Sequence, residues 1–111
     1  MNGVVKDELM NKIVQAICEI YDNNLKSVIL YGSVARDDDV DGSDIDIALL
    51  VDENDLTMHD KLMDVLVDLD LEYDQVISPS LIEKKHFEKW KNVLPYYKNI
   101  ENEGIVLWKA A

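Results

Sequence analysis

Gly32-Ser33 and Asp44-Ile45-Asp46 are the residues of this chain whose types and spacing could do chemistry, and Val34 to Ser43 separate them. Each adjoins an apolar, β-branched run, Ser27–Tyr31 before the glycine and Ile45–Val51 around the second aspartate. Successive side chains of a strand point to opposite faces, so Asp44 and Asp46 share one face while Ile45 and Ile47 share the other. Two carboxylates about 6.6 Å apart along a strand repel one another unless a cation lies between them. Hard oxygen ligands of this kind suit magnesium or manganese. The glycine-serine turn offers a backbone without a β-carbon, a hydroxyl and amides able to face an anion, which is what a phosphate group needs.

Together these residues resemble the nucleotidyltransferase superfamily that includes DNA polymerase β and the aminoglycoside nucleotidyltransferases. The family pattern is glycine-serine, ten residues, then Asp-x-Asp, and the interval between Ser33 and Asp44 fits it. Asp37 is a departure, standing where many members place a glycine after the arginine. The resemblance covers roughly residues 5 to 78, with boundaries good to a few residues. It implies an α/β (α+β) fold, a small mixed sheet of about three strands flanked by helices. It also implies a nucleotide triphosphate at Gly32 and Ser33, and divalent ions held by Asp44, Asp46 and a third carboxylate on a later strand. Asp70, Glu72 and Asp74 compete for that third place, and alternation puts all three on one face. Asp74 is preferred, because Val76-Ile77 after it marks the body of a strand, whereas Asp70 ends the preceding helix.

The acidic run admits a rival reading, since Asp37-x-Asp39-x-Asp41-Gly42 matches the opening of a calcium loop. The bidentate glutamate needed at position twelve is Ala48, and the flanks are β-rich where helices are required. A solvated loop is the favoured reading of Asp37, Asp38, Asp39 and Asp41. Arg36 has two open roles, a bidentate phosphate contact or a salt bridge with the acidic loop beside it. His59 and His86 lack a neighbouring Cys or His at metal-ligand spacing and are read as surface or interface residues.

The elements that must position these residues can be read from periodicity. Leu9, Ile13, Ala16, Ile17 and Ile20 recur at helical spacing over roughly residues 5 to 22, and Asp22-Asn23-Asn24 stops that helix. Strands follow at Ser27–Tyr31 and Ile45–Val51, with Arg36 in a short helical turn between them. Thr57 with Asp60 predicts the capped start of a helix carrying Leu62, Val65, Leu66 and Leu69. A third strand is expected at Glu72–Ile77, closed by Ser78-Pro79-Ser80. Ser80 with Glu83 would then cap a helix bearing His86, Phe87 and Trp90, which Pro95 ends. Tyr97, Ile100, Ile105 and Trp108 suggest one face of a last helix, which Gly104 weakens by about 1 kcal/mol. Trp90, Tyr96, Tyr97 and Trp108 are expected in the core, with a partner surface as the alternative.

At 111 residues the expectation is one domain over 1–111, too short for a catalytic domain plus a separate acceptor-binding domain. A net charge of −12 argues against direct nucleic-acid binding through a basic surface and suits a basic protein partner. The single cysteine, Cys18, excludes an internal disulfide framework. With no signal peptide and no apolar run near the roughly 20 residues of a membrane span, a cytoplasmic protein without membrane association is expected.

A chain of this size with this motif is similar to the minimal nucleotidyltransferases that pair with HEPN-domain proteins as antitoxin and toxin. In that family AMP passes from ATP to a tyrosine of the HEPN ribonuclease toxin. The resemblance therefore implies a two-metal protein adenylyltransferase, with ATP and magnesium (or manganese), acting in a hetero-oligomer with a HEPN toxin. The alternatives are an antitoxin that acts by binding alone, and transfer to a small hydroxylated molecule such as an aminoglycoside. Intact Gly32, Ser33, Asp44 and Asp46 argue against the first, and the lack of an acceptor domain against the second.

Overall fold

The computed structural model describes residues 3–36 and 43–111. The acidic segment Asp37–Asp41 and Gly42, and with them the loop readings made above, lie outside the described residues. Helix α1 (Gly3–Tyr21) leads through a short 3-10 turn at Asp22–Asn24 into strand β1 (Leu25–Tyr31). A four-residue helical turn, α2 (Gly32–Ala35), precedes β2 (Ile45–Val51), and then come α3 (Leu56–Tyr73) and β3 (Ile77–Glu83). Helices α4 (Lys84–Trp90) and α5 (Pro95–Glu103) and strand β4 (Ile105–Lys109) complete the chain.

The sheet order is β3-β2-β1-β4, with β1 antiparallel to both β2 and β4 and β3 parallel to β2. The α3 crossover supplies the length that a parallel connection requires. Alternation divides the sheet's contacts into two cores. Val28, Leu30, Ile45, Ile47, Leu49 and Val51 pack with Ile13 and Ile17 of α1 and Leu62 and Leu66 of α3. On the opposite face Ile29, Ala48 and Ile82 pack with Phe87 of α4 and Tyr97 and Ile100 of α5. Among the described residues no helix is long and apolar enough to cross a membrane.

The α/β class agrees with the expectation, and four strands stand where about three were expected. The additional strand is in the tail. Gly104 ends α5 because its backbone lies against Ile100 and Ile29, where a Cβ would come within 2.2 Å of the Ile100 carbonyl oxygen. The apolar Ile105–Lys109 then pairs with β1 instead of continuing a helix. Tyr97 is buried, whereas Trp90 and Tyr96 are exposed, so the tail aromatics divide between the core and the surface.

The expected third strand at Glu72–Ile77 is also displaced. The helical period of Leu62, Leu66 and Leu69 continues to Tyr73, whose hydroxyl donates to Glu8 at 2.8 Å and whose ring lies under Lys12. Helix α3 therefore runs four residues beyond its last buried leucine, and Asp74 caps it in the left-handed conformation, φ 51°. At its start the cap is Asp55, accepting from the Met58 amide at 3.0 Å, not Thr57. The segment Ser78-Pro79-Ser80 lies within β3 rather than after it, and Ser80 is no helix cap. A proline without an N–H is tolerated there because β3 is an edge strand.

Candidate active site

The site is built where β1 turns into α2 beside the start of β2. Gly32 has φ +78°, a conformation L side chains rarely adopt. A Cβ on Gly32 would lie 2.3 Å from Oδ2 of Asp46, so the glycine is what lets the turn and the carboxylate touch. Ser33 follows in α2, partly exposed. Asp44 precedes β2 and Asp46 is its second residue, on the same face as Ala48. The structure thus brings Gly32, Asp44 and Asp46 to one corner.

Register places other groups in the same row. Tyr31 of β1 is opposite Asp46, and Asp46 is opposite Ser78 of β3. The Ser78 hydroxyl donates to Oδ2 of Asp44 at 3.1 Å. One row further in, the Tyr31 hydroxyl lies 3.2 Å from Oγ of Ser80 and 3.0 Å from the hydroxyl of Tyr96 on α5. Ala48, opposite Ser80, has too small a side chain to block the Tyr31 ring from reaching across β2. Burial is the main cause that raises the Tyr31 phenol to about 12, so it is neutral at physiological pH. Sequence reading passed over this hydroxyl row because Ser78 and Ser80 read as turn residues. The parity of β3 would have revealed it, had the strand been placed correctly.

Asp46 is held above the ordinary carboxylate range, first by burial and then by the charge of Asp44, against the opposing pull of Arg36. That combination, a half-buried carboxylate charged against an exposed neighbour, is the donor chemistry that a divalent cation relieves. The pair therefore fits a magnesium-type ion. Arg36 is bound to Glu103 of α5 at 3.1 Å, which ties the turn to the far end of that helix.

Asp74 is not brought to the pair. It is exposed at the C-cap of α3, and Glu72 points instead to Lys12 of α1 at 3.1 Å. Asp70 lies closer, its carboxyl raised chiefly by burial and also by the charge of Asp44, with the Ile77 amide pulling the other way at 3.1 Å. Gln75 donates to the Ser43 carbonyl and so holds the approach to β2. Among the described residues no three His, Cys, Asp or Glu side chains form a metal cluster. His59 sits on α3 and His86 bonds the Tyr97 hydroxyl at 2.7 Å, neither of them in the acidic corner.

A turn of this geometry against two carboxylates at the head of a strand invites comparison with known proteins, and residues 10–107 match the model of the nucleotidyltransferase domain. The chain belongs to this family. Two proteins of Methanocaldococcus jannaschii, each named "putative protein adenylyltransferase", are similar to this nucleotidyltransferase domain. One, MJ0604, is 33% identical over 103 residues, covering 93% of this chain and 98% of the relative. The other, MJ0141, is 35% identical over 99 residues, covering 88% and 94%. The fold is shared with an antitoxin in complex with a tri-AMPylated HEPN toxin of Shewanella oneidensis, at TM-score 0.58 and 19% identity, covering 95% of this chain and 73% of that one. A toxin–antitoxin structure with AMP-PNP has TM-score 0.61 at 20% identity, covering 91% and 73%.

Proposed function

We propose that this nucleotidyltransferase domain is a protein adenylyltransferase that transfers AMP from ATP to a tyrosine of a HEPN-type toxin with which it assembles. The observation that carries the reading is the contact of Gly32 with Asp46 beside Asp44, which sets a phosphate-binding turn against a cation-binding pair. The similarity to two proteins named as protein adenylyltransferases supports the reaction. The shared fold with antitoxins of HEPN toxins supports the acceptor.

In this reading the Gly32-Ser33 turn receives the triphosphate, and Asp44 and Asp46 hold the divalent cations. Bound magnesium or manganese would neutralise phosphate oxygens and the charge of the departing pyrophosphate. The acceptor's phenolic oxygen forms a bond to the α-phosphorus, the bond from that phosphorus to pyrophosphate breaks, and the phenolic proton is released. The chain's own contribution is positioning and charge. Asp74 is exposed at the C-cap of α3, so the reading rests on Asp44 and Asp46.

Incubation with labelled ATP and magnesium, with and without the protein encoded beside it, tests the proposal. Label on a partner tyrosine, absent with the Asp44→Ala, Asp46→Ala double mutant, is the expected result. A partner fully inhibited yet unmodified would replace catalysis by neutralisation through binding, and label on an aminoglycoside alone would replace the protein acceptor.

A further inference from the structure

The two carboxylates of the acidic corner are held in different ways. Asp46 lies inside β2, between Tyr31 of β1 and Ser78 of β3, with Gly32 against its carboxyl group. Asp44 lies outside the strand, which begins at Ile45, and it is exposed. Like charges repel, so an exposed aspartate in that place gains by turning its carboxylate away from Asp46. To share a cation, the pair needs something that holds Asp44 toward its neighbour.

The hold comes from the segment between α3 and β3. Before Asp44, the carbonyl of Ser43 accepts from the Gln75 side-chain amide. After it, the Ile45 amide donates to the Val76 carbonyl at 2.9 Å. The carboxylate itself accepts at Oδ2 from the Ser78 hydroxyl, at 3.1 Å. Residues 75–78 thus hold residues 43–45 through both backbone and side chains. They are fixed in turn to the end of α3, where the Gln75 amide donates to the Asp70 carbonyl at 3.2 Å and the Ile77 amide to the Asp70 carboxylate at 3.1 Å.

Ser78 is opposite Asp46 in register, so its hydroxyl draws the Asp44 carboxylate toward the Asp46 row, and Asp46 feels the charge. One hydrogen bond takes one of about four acceptor positions of a carboxylate, which leaves Asp44 able to ligate an ion.

We propose that Ser78 is a positioning residue of the cation site, orienting Asp44 toward Asp46 through its hydroxyl. The inference rests on the reading of Asp44 and Asp46 as cation ligands. It gives β3 a part in the site through an alcohol that fixes a ligand, with no third carboxylate needed for that purpose.

Titration of the whole chain with manganese(II), without nucleotide and followed by electron paramagnetic resonance of the free ion, tests it. Loss of a hydrogen bond that orients a metal ligand should weaken the ion about tenfold in Ser78→Ala. Ser78→Thr keeps the hydroxyl on a residue suited to a strand and should restore the affinity. Ser80→Ala removes the next hydroxyl on the same face of β3, one bonded to Tyr31, and should bind manganese as the wild type does. Melts in metal-free buffer should coincide for Ser78→Ala and wild type, because the lost bond is exposed. Wild-type affinity in Ser78→Ala, no recovery in Ser78→Thr, or an equal loss in Ser80→Ala would each overturn the role of Ser78 while leaving the acidic pair in place. Equal binding by the wild type and the Asp44→Ala, Asp46→Ala double mutant would instead remove the cation site, and the role of Ser78 with it.

Discussion

Gly32→Ala should separate the site from the fold. Alanine at φ +78° costs about 1–2 kcal/mol, the penalty of the left-handed region for a residue with a β-carbon. For a domain of this size that lowers the melting temperature by roughly 5–10 °C and leaves it folded. The larger effect is on chemistry. The new methyl would lie 2.3 Å from Oδ2 of Asp46, where real contacts begin at about 3.0 Å, so the carboxylate must retreat by about 0.7 Å. A displacement near 1 Å in a site that works by positioning costs on the order of 100-fold in rate. The assay is transfer from labelled ATP to the co-purified partner, read beside a thermal melt. Gly104→Ala is the comparison, because there the β-carbon would meet the Ile100 carbonyl oxygen at 2.2 Å and Ile29 at 2.5 Å, between α5 and β1. It should lose stability while the folded fraction keeps its transfer rate. Gly32→Ala transferring AMP at the wild-type rate would refute the argument that this contact sets the site.

Three other outcomes follow from the same geometry. The Asp44→Ala, Asp46→Ala double mutant should melt no lower than wild type in metal-free buffer, because Asp46 is held above its ordinary range and its ionised form opposes folding at neutral pH; differential scanning calorimetry checks this, and transfer should be abolished. Asp70→Ala should cost about 1 kcal/mol by leaving the Ile77 amide unpaired, whereas Asp74→Gly, at a cap with φ 51°, should leave stability and rate close to wild type; a rate lowered about 100-fold by Asp74→Gly would return the third-carboxylate role to Asp74. Tyr21→Phe should stabilise the protein by about 1 kcal/mol, since its buried hydroxyl has no hydrogen-bond partner. Burial, then Asp55, raises that phenol to about 12, so its contribution is complete below pH 10 and is lost as pH rises to 12. The advantage of the variant in urea melts should therefore widen between pH 10 and 12.

What the sequence made legible, and what it hid, follows from where local and tertiary preferences agree. The run Ile45–Val51 is apolar, β-branched and bounded by polar loops, and it is β2 residue for residue. Its parity alone put Asp44 and Asp46 on one face, and Gly32 at the end of β1 completed the corner without help from packing. Residues 70–83 are different, because two periods compete there. Asp70, Glu72 and Asp74 alternate as a strand would, while Leu66, Leu69 and Tyr73 continue a helix. The helix prevails because Tyr73 gains a hydrogen bond to Glu8 and a stacked Lys12 from α1, partners about sixty residues away that no local window contains. Once α3 extends to Tyr73, the strand must begin later and run through Pro79, which only the edge position of β3 permits. That shift places Ser78 opposite Asp46, and so hydroxyls face the acidic pair along β3 where a carboxylate was expected. The tail was hidden for a similar reason: Gly104 reads as a weak helical residue until Ile29 is seen against it. The acidic corner is thus specified locally by β2 and the glycine turn, whereas its third side depends on how far α3 winds before the chain returns to the sheet.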